Sequence, residues 1–205
     1  MGKERVVWRY DPIIVTKEID AQFHITKFHE MAQILKDYTN TVVISILDNY
    51  RKIKRRLQSI GVRDISSTEI ELIATSFKNI ADKYNLKISS CAEIIDLRPY
   101  GIMSGKCIDD RLISKLIGKE INIPKDKNQR SICGCAESID IGTYNTCINN
   151  CKYCYANYDE SVARDNYLNY DVNSPFLFRV IREDDKITNR QVKVYKAQTE
   201  QLSFF

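Results

Sequence analysis

The chain has 205 residues, of which 43% are hydrophobic and 28% charged, so it is long enough for a domain with a sizeable core. Its net charge of +4 is mild and does not by itself favour nucleic acid as a partner. The apolar run after the N-terminus is too short for a signal peptide, and no stretch reaches the ~20 residues that cross a bilayer. These features exclude a membrane-spanning protein and predict a cytoplasmic one.

The first part of the chain predicts two strands, each followed by a helix. Arg5–Val15 is rich in β-branched and aromatic residues, and Pro12 is expected where this strand ends or turns. Ala21–Tyr38 has helical spacing of its apolar residues. Thr41–Leu47 is an almost continuous apolar run, as in a strand buried on both faces, and Tyr50–Ile60 follows as a short helix.

A third strand and two further helices follow. Ser66 and Glu69 have the spacing of a capping box and predict a helix start. Leu86–Cys91 is the third predicted strand, and Asp109 or Asp110 can cap a helix behind it. Because strands and helices alternate and the strands are apolar, the fold class is α/β with a parallel sheet, either a partial βα barrel or an open sheet.

The composition changes in the second half of the chain and suggests three parts. Residues 1–130 are predicted to form the partial βα barrel-like domain, and residues 131–175 a cysteine-rich, loop-like segment packed on it. Residues 176–205 are predicted to be an irregular tail, apart from Phe176–Ile181 and Val192–Tyr195, with the last ten residues frayed.

A basic run lies in the short helix after the second strand; it consists of Arg51, Lys52, Lys54, Arg55 and Arg56. The favoured interpretation is a solvated helix face around an apolar stripe. The alternative is a surface for nucleic acid or an acidic partner.

The seven cysteines carry most of the chemistry; they are Cys91, Cys107, Cys133, Cys135, Cys147, Cys151 and Cys154. In a reducing compartment, clustered cysteines are metal ligands or catalytic groups more often than disulfides. An odd number also cannot be paired completely.

Cys147, Cys151 and Cys154 form a C-x3-C-x2-C array that can wrap a compact metal centre. Three thiolates are too few to close a structural zinc site or a four-cysteine cluster, so an iron–sulfur cluster on them would keep one iron open. The alternative is a zinc site in which Cys133 or Cys135 supplies the fourth ligand.

The spacing of this triplet, with the aromatic Tyr153 just before its last cysteine, resembles the radical S-adenosylmethionine (SAM) enzymes. The resemblance implies that the three cysteines ligate a [4Fe–4S] cluster whose open iron binds SAM. It also implies that Tyr153 lies near the adenine and that an external electron donor starts a radical reaction.

A longer resemblance runs over most of residues 3–178, to a bacterial family of unknown function with a radical-SAM-like cysteine cluster near its C-terminus. The segments that carry it are Trp8-Arg9-Tyr10-Asp11-Pro12, Cys91-Ala92-Glu93, Gly105-Lys106-Cys107-Ile108-Asp109, Cys133-Gly134-Cys135, Ser138-Ile139-Asp140-Ile141-Gly142, Tyr144-Asn145-Thr146-Cys147 and Cys154-Tyr155-Ala156-Asn157.

The resemblance implies a chain that corresponds to about the last two-thirds of the family pattern, with the first βα units preceding it. A complementing N-terminal chain is therefore a candidate partner. Radical SAM enzymes carry the triplet near the N-terminus, and a circularly permuted barrel would reconcile that position with the one here.

The other four cysteines, Cys91, Cys107, Cys133 and Cys135, match the number that a second, closed cluster requires. The alternative is that Cys91 is a small buried apolar residue and that Cys133 and Cys135 assist the triplet.

Arg9, Asp11 and Glu93 lie at or just past predicted strand ends, the edge that faces the active site in parallel α/β folds. They are the candidate catalytic residues, as contacts to SAM or to a substrate. An Arg9–Asp11 ion pair that only orders a loop is the alternative.

Two hypotheses follow. The first is a redox enzyme of the radical SAM type, with a substrate that the sequence does not identify. The second is a non-catalytic module in which iron–sulfur or zinc holds the C-terminal segment together.

Overall fold

The computed structural model describes residues 2–48, 50–176 and 180–195. The described residues divide into two units. The first, called the sheet unit, contains residues up to 47, residues 63–138 and residues 194–195. The second, called the loop unit, contains the described residues within 48–62 and 139–193.

The sheet unit is built on parallel strands, as the sequence predicted. In the described part of the chain these are β1 (Val7–Ile13), β2 (Thr41–Ile46), β3 (Lys87–Cys91) and β4 (Met103–Gly105), hydrogen-bonded in that order in one four-stranded sheet. The fold class is therefore α/β with an all-parallel sheet. β4 was not predicted, because three residues without a β-branched side chain give no strand pattern.

Among the described residues the helices are α1 (Ala21–Leu35), α2 (Lys54–Ser59), α3 (Ser67–Lys83), α4 (Asp110–Ile117) and α5 (Glu160–Leu168). Short 3₁₀ turns span Lys3–Arg5 and Arg98–Tyr100. No helix of the described residues combines the length and hydrophobicity that crossing a membrane requires.

Side-chain caps explain where several helices begin. The predicted capping box is present, since the Ser66 hydroxyl accepts from the Glu69 amide and the Glu69 carboxylate accepts from the Ser66 amide. Asp109 caps α4. Asp159 caps α5, a nine-residue helix that the sequence analysis missed and that exposes Val162, Tyr167 and Leu168. A capping aspartate was the available signal.

The helix predicted at Tyr50–Ile60 is shorter than expected, because the residues before Lys54 form turns. Pro12 lies one residue before the end of β1 rather than at its end, where the pairing with β2 shifts register between Tyr10 and Ile13. A proline is tolerated there because β1 is at the edge of the sheet and the missing amide costs no interior ladder bond.

Aromatic rings hold α1 and α3 against one face of the sheet. The rings of Phe28 and Phe77 are stacked with centroids 3.8 Å apart, and Trp8 stacks on Phe28 at 4.8 Å. Tyr10 meets both phenylalanines edge-on at 5.3 Å. Trp8 and Tyr10 alternate along β1, so the residues between and after them, Arg9 and Asp11, point to the opposite face.

Part of the predicted C-terminal tail lies outside the description. Of the segment Phe176–Ile181, residues 177–179 are not among the described residues, and neither are the last ten residues of the chain. Val192–Tyr195 is described and has no regular secondary structure.

His24 gives the stability of the fold a specific pH dependence. It is 5% exposed, its Nδ1 lies 2.9 Å from the Tyr10 hydroxyl, and its Nε2 lies 2.9 Å from the Ile14 carbonyl oxygen. Burial lowers the pKa of His24 below its ordinary value. The neutral ring is thus favoured in the folded state, and its contribution is complete above the unfolded pKa of about 6.5 and is lost as the pH falls through the folded pKa.

We therefore expect the free energy of unfolding to decrease from pH ~7.5 to pH ~5 and His24→Gln to reduce that decrease. Denaturant titrations at the two pH values measure it. His29→Gln is the matched control, since His29 is the other histidine of the chain and bonds to Tyr84. An unchanged pH dependence in His24→Gln would contradict the assignment.

Candidate metal centre

Cys91 and Cys107 meet where two neighbouring strands end. Cys91 is the last residue of β3 and lies in register with Gly105, the last residue of β4. Because parallel strands deliver their carboxyl ends to one edge, the chain that leaves β4 passes beside Cys91. The two sulfur atoms are 2.8 Å apart.

Gly105 permits this close approach. A Cβ atom at Gly105 would lie 2.7 Å from the Ser89 hydroxyl oxygen and 3.3 Å from the backbone oxygen of Ser90. A Cβ atom at 2.7 Å from an oxygen is not tolerated, so with any side chain here either the Ser89 hydroxyl turns away or β4 shifts from β3. The small residue therefore sets the distance between Cys91 and the segment that carries Cys107.

Cys135 reaches the same place from later in the chain. Its backbone oxygen accepts from the Asp126 amide at 3.0 Å, and the next amide, that of Ala136, donates to the Ile108 carbonyl at 3.0 Å. The Cys135 sulfur then lies 3.2 Å from the Cys107 amide and 3.5 Å from the Ile108 amide.

Cys133 completes the group, which we call the four-thiol cluster (Cys91, Cys107, Cys133 and Cys135). Cys133 and Cys135 are 7% and 6% exposed and pack with Ala92 and Cys91. Burial raises the pKa of Cys133, and the neighbouring thiols of Cys135 and Cys107 add to the shift. All four cysteines predicted for a second cluster therefore lie in one neighbourhood of the sheet unit.

Arg9 brings a positive charge to the four-thiol cluster across the face opposite the helices. Its Nη1 donates to the Cys107 sulfur at 3.2 Å, and its Nε donates to Asp11 at 2.9 Å. Arg9 and Asp11 form an ion pair as well. Burial opposes the charge on Arg9, but hydrogen bonds to Asp11 and Cys91 outweigh it and raise the arginine pKa.

The first two thiols have opposite titration behaviour. The hydrogen bond from Cys107 lowers the pKa of Cys91 to about 7, with burial opposing and Arg9 assisting. The same hydrogen bond and burial raise the pKa of Cys107. One hydrogen bond between the two sulfurs thus shifts the two pKa values in opposite directions, while Arg9 lowers both.

The four thiols lie close together, but their sulfur atoms do not surround a common point at which a metal ion could bind. Among the described residues, no three histidine, cysteine or acidic side chains stand in a geometry that holds one metal ion. Sulfurs that surround a tetrahedral ion at about 2.3 Å are about 3.8 Å apart. Cys91 and Cys107, at 2.8 Å, would have to separate by about 1 Å to hold a single ion, and by more than that to ligate different irons of a cluster.

Glu93 binds the backbone of the sheet. Its Oε1 accepts from the Ile46 amide at 2.8 Å, at the end of β2. The chain turns towards it through Ala92, whose φ of 49° is in the left-handed region. The Arg9–Asp11 ion pair and the hydrogen bond of Glu93 are structural contacts. Catalytic roles for these three residues stay predictions.

The triplet Cys147, Cys151 and Cys154 belongs to the loop unit, in a loop closed by Asn145. The Asn145 amide donates to the Ala156 carbonyl at 2.9 Å, and its side-chain oxygen accepts from the Tyr158 amide at 2.9 Å. Cys147 is exposed and the other two cysteines are half-buried. Within the triplet, the Cys154 amide donates to the Cys151 carbonyl at 3.0 Å. Tyr153 lies in the same turn and is 38% exposed.

Arg56 holds the end of this loop. From α2 its Nη2 donates to the Cys154 carbonyl at 2.5 Å and its Nη1 to the Asn157 carbonyl at 2.8 Å. The favoured interpretation of the basic run as a solvated face does not apply to Arg56. The sequence analysis missed this role because a guanidinium that bonds to distant backbone carbonyls leaves no local pattern.

Cys147 also borders a cavity of about 350 Å³ within the loop unit, lined further by Glu160, Arg164 and Asn157. Asn157 is 4% exposed, and its Oδ1 is buried without a hydrogen-bond partner among the described residues. Buried amide oxygens normally accept a hydrogen bond, and the side-chain oxygen of Asn157, three residues after Cys154, is an exception among the described residues.

We expect Gly105→Ala to lower the free energy of unfolding by about 1–3 kcal/mol, because the added methyl group overpacks the contact between β3 and β4. Ser89→Ala removes the nearest atom and should restore part of the loss in the double variant. Denaturant titrations of the parent, both single variants and the double variant form the cycle. Additive effects would show that Gly105 does not set this contact.

Arg56→Gln should open the triplet loop. It removes charge-assisted hydrogen bonds to two carbonyls, each worth about 1.5–3 kcal/mol. Hydrogen exchange in peptides that cover residues 145–158 should accelerate, while Arg55→Gln, an exposed neighbour, should leave it unchanged. Equal exchange in both variants would refute the role of Arg56.

Comparison with known proteins gives a family and no relative of known function. No curated protein and no solved structure matches the chain. The family described as "Domain of unknown function (DUF1848)" matches residues 1–156, a segment that contains all seven cysteines. The chain therefore belongs to the DUF1848 family.

Proposed function

We propose that the protein is an iron–sulfur protein with two cysteine sites of different kinds. The observation that carries the proposal is the convergence of Cys91, Cys107, Cys133 and Cys135 from separate segments at one edge of the sheet. Four thiols with a neighbouring cation form a donor set for a thiophilic centre, since thiolates are the ligands of iron–sulfur clusters and of zinc. Bound there, a cluster supplies one-electron transfer.

The residues of the chain contribute charge, hydrogen bonds and shielding. Arg9 offsets part of the negative charge that four thiolates accumulate, and the amides of Cys107 and Ile108 donate to the Cys135 sulfur. Burial of Cys133 and Cys135 limits the access of water. Both effects tune a reduction potential at such a site.

For Cys147, Cys151 and Cys154 the proposal is a [4Fe–4S] cluster with an open iron that takes SAM, as the radical SAM resemblance implies. Asn145 and Arg56 support it by closing the loop from both ends, and the exposed Cys147 faces a cavity of about 350 Å³. Arg9, Asp11, Glu93 and Tyr153 remain the candidate cofactor or substrate contacts.

This chemistry fits a reducing compartment, so the proposal places the protein in the cytoplasm with an external electron donor as partner. All seven cysteines are free thiols in the structure.

Anaerobic reconstitution should give about eight irons and eight sulfides per chain, from two [4Fe–4S] clusters. Serine at Cys91, Cys107, Cys133 and Cys135 together should leave about four irons, and serine at Cys147, Cys151 and Cys154 should also leave about four. Each variant is the control for the other. Loss of all iron in the first variant with a retained fold, or stoichiometric zinc without sulfide, would refute two clusters.

The SAM assignment has its own test. Reconstituted protein with dithionite and SAM should form 5′-deoxyadenosine, and the variant with serine at the triplet should not. If the loaded parent protein forms no product, the triplet belongs to a non-catalytic metal-binding module instead.

A further inference from the structure

A second concave surface in the loop unit has a chemistry that the metal sites do not use. It is an open cleft of about 300 Å³, lined by Tyr50, Tyr144, Tyr155, Arg51 and Lys52, which we call the tyrosine cleft. Every lining residue is thus either aromatic or cationic. Volumes of this size are at the lower end of small-molecule sites.

The rings of the tyrosine cleft are accessible. Tyr144 is 54% exposed, Tyr155 is 57% exposed and Tyr50 is 41% exposed. Tyr50 and Tyr155 have ring centroids 5.6 Å apart with planes at 49°, so their faces diverge rather than cover each other. Exposed, diverging ring faces are platforms on which a flat ligand can stack.

The two cationic side chains of the cleft, Arg51 and Lys52, are accessible to a ligand. Neither Arg51 nor Lys52 makes an ion pair or a side-chain hydrogen bond with another described residue. The neighbouring acidic group is Asp48, whose carboxylate accepts a hydrogen bond from the Tyr50 hydroxyl at 3.4 Å. Asp48 does not line the cleft. The cleft therefore has positive charge available for an anionic ligand.

We propose that the tyrosine cleft binds a nucleotide, with the base stacked on the tyrosine rings and the phosphate held by Arg51 and Lys52. Guanidinium and ammonium groups are the usual protein ligands of phosphate, and aromatic side chains stack on any base. A sulfonium such as that of SAM has the wrong charge for this site.

The same chemistry is present in a free nucleotide and in a nucleotide within a single strand. The volume favours one nucleotide at a time. Titration of the full chain with AMP and with a short oligothymidylate distinguishes the two sources. Tighter binding of the strand, with a steeper salt dependence, assigns the cleft to single-stranded nucleic acid, and equal or weaker binding assigns it to a free nucleotide.

Calorimetric titrations should show saturable AMP binding, with adenosine and ribose 5-phosphate each binding at least about tenfold more weakly. Arg51→Gln with Lys52→Gln should weaken AMP about tenfold and leave adenosine unchanged. Arg55→Gln is the matched control, because Arg55 is exposed in the same basic run and does not line the cleft.

Tyr155→Leu should weaken AMP and adenosine by the same factor, about tenfold, since it removes stacking and no charge. Tyr38→Leu, at an exposed tyrosine of the sheet unit, is its control. The proposal is overturned if neither AMP nor the oligonucleotide saturates by ~1 mM. It is also overturned if AMP binding survives the double charge variant intact, because the ligand then binds elsewhere.

Discussion

The close pairing of β3 with β4 at Cys91 and Gly105 is the constraint on which the candidate metal centre depends. Parallel strands deliver their carboxyl ends to one edge of the sheet. A Cβ atom added to Gly105 would lie only 2.7 Å from the Ser89 hydroxyl oxygen, so β3 and β4 are closely paired at this point. The chain that leaves β4 then places the sulfur of Cys107 2.8 Å from that of Cys91. The amides of Cys107 and Ile108 then receive the sulfur of Cys135.

Charge is the second constraint at this edge. The hydrogen bond between Cys91 and Cys107 shifts their pKa values in opposite directions, because it favours the thiolate of Cys91 and the thiol of Cys107. Arg9 lies on the same face of the sheet, and Asp11 holds it there through an ion pair. Arg9 can therefore both order the loop through its ion pair with Asp11 and act beside the cysteines. The ion pair orients the guanidinium so that it donates to the Cys107 sulfur.

The sequence was sufficient for elements whose pattern is local. Local residue patterns were enough to predict the apolar strands that alternate with amphipathic helices in the sheet unit. They also predicted the capping box at Ser66 and the aspartate cap of α4. β4 and α5 were missed because a strand of three residues and a helix of nine residues are too short to show a clear apolar period. Roles that depend on contacts between distant segments, such as Arg56 on the Cys154 carbonyl, leave no signal in one sequence.

The basic run shows how one composition can serve separate physical roles. Arg56 is half-buried and spends its guanidinium on two backbone carbonyls, which fixes the end of the triplet loop. Arg51 and Lys52 lie before the helix proper, and their charges stay exposed beside tyrosine rings. Because the run straddles the start of α2, the turn and the helix direct its charges differently. A charge count over residues 51–56 therefore cannot distinguish a solvated face from a binding surface, whereas the contacts of each cation can, since Arg55 and Arg56 are neighbours in α2 and only Arg56 bonds to the triplet loop.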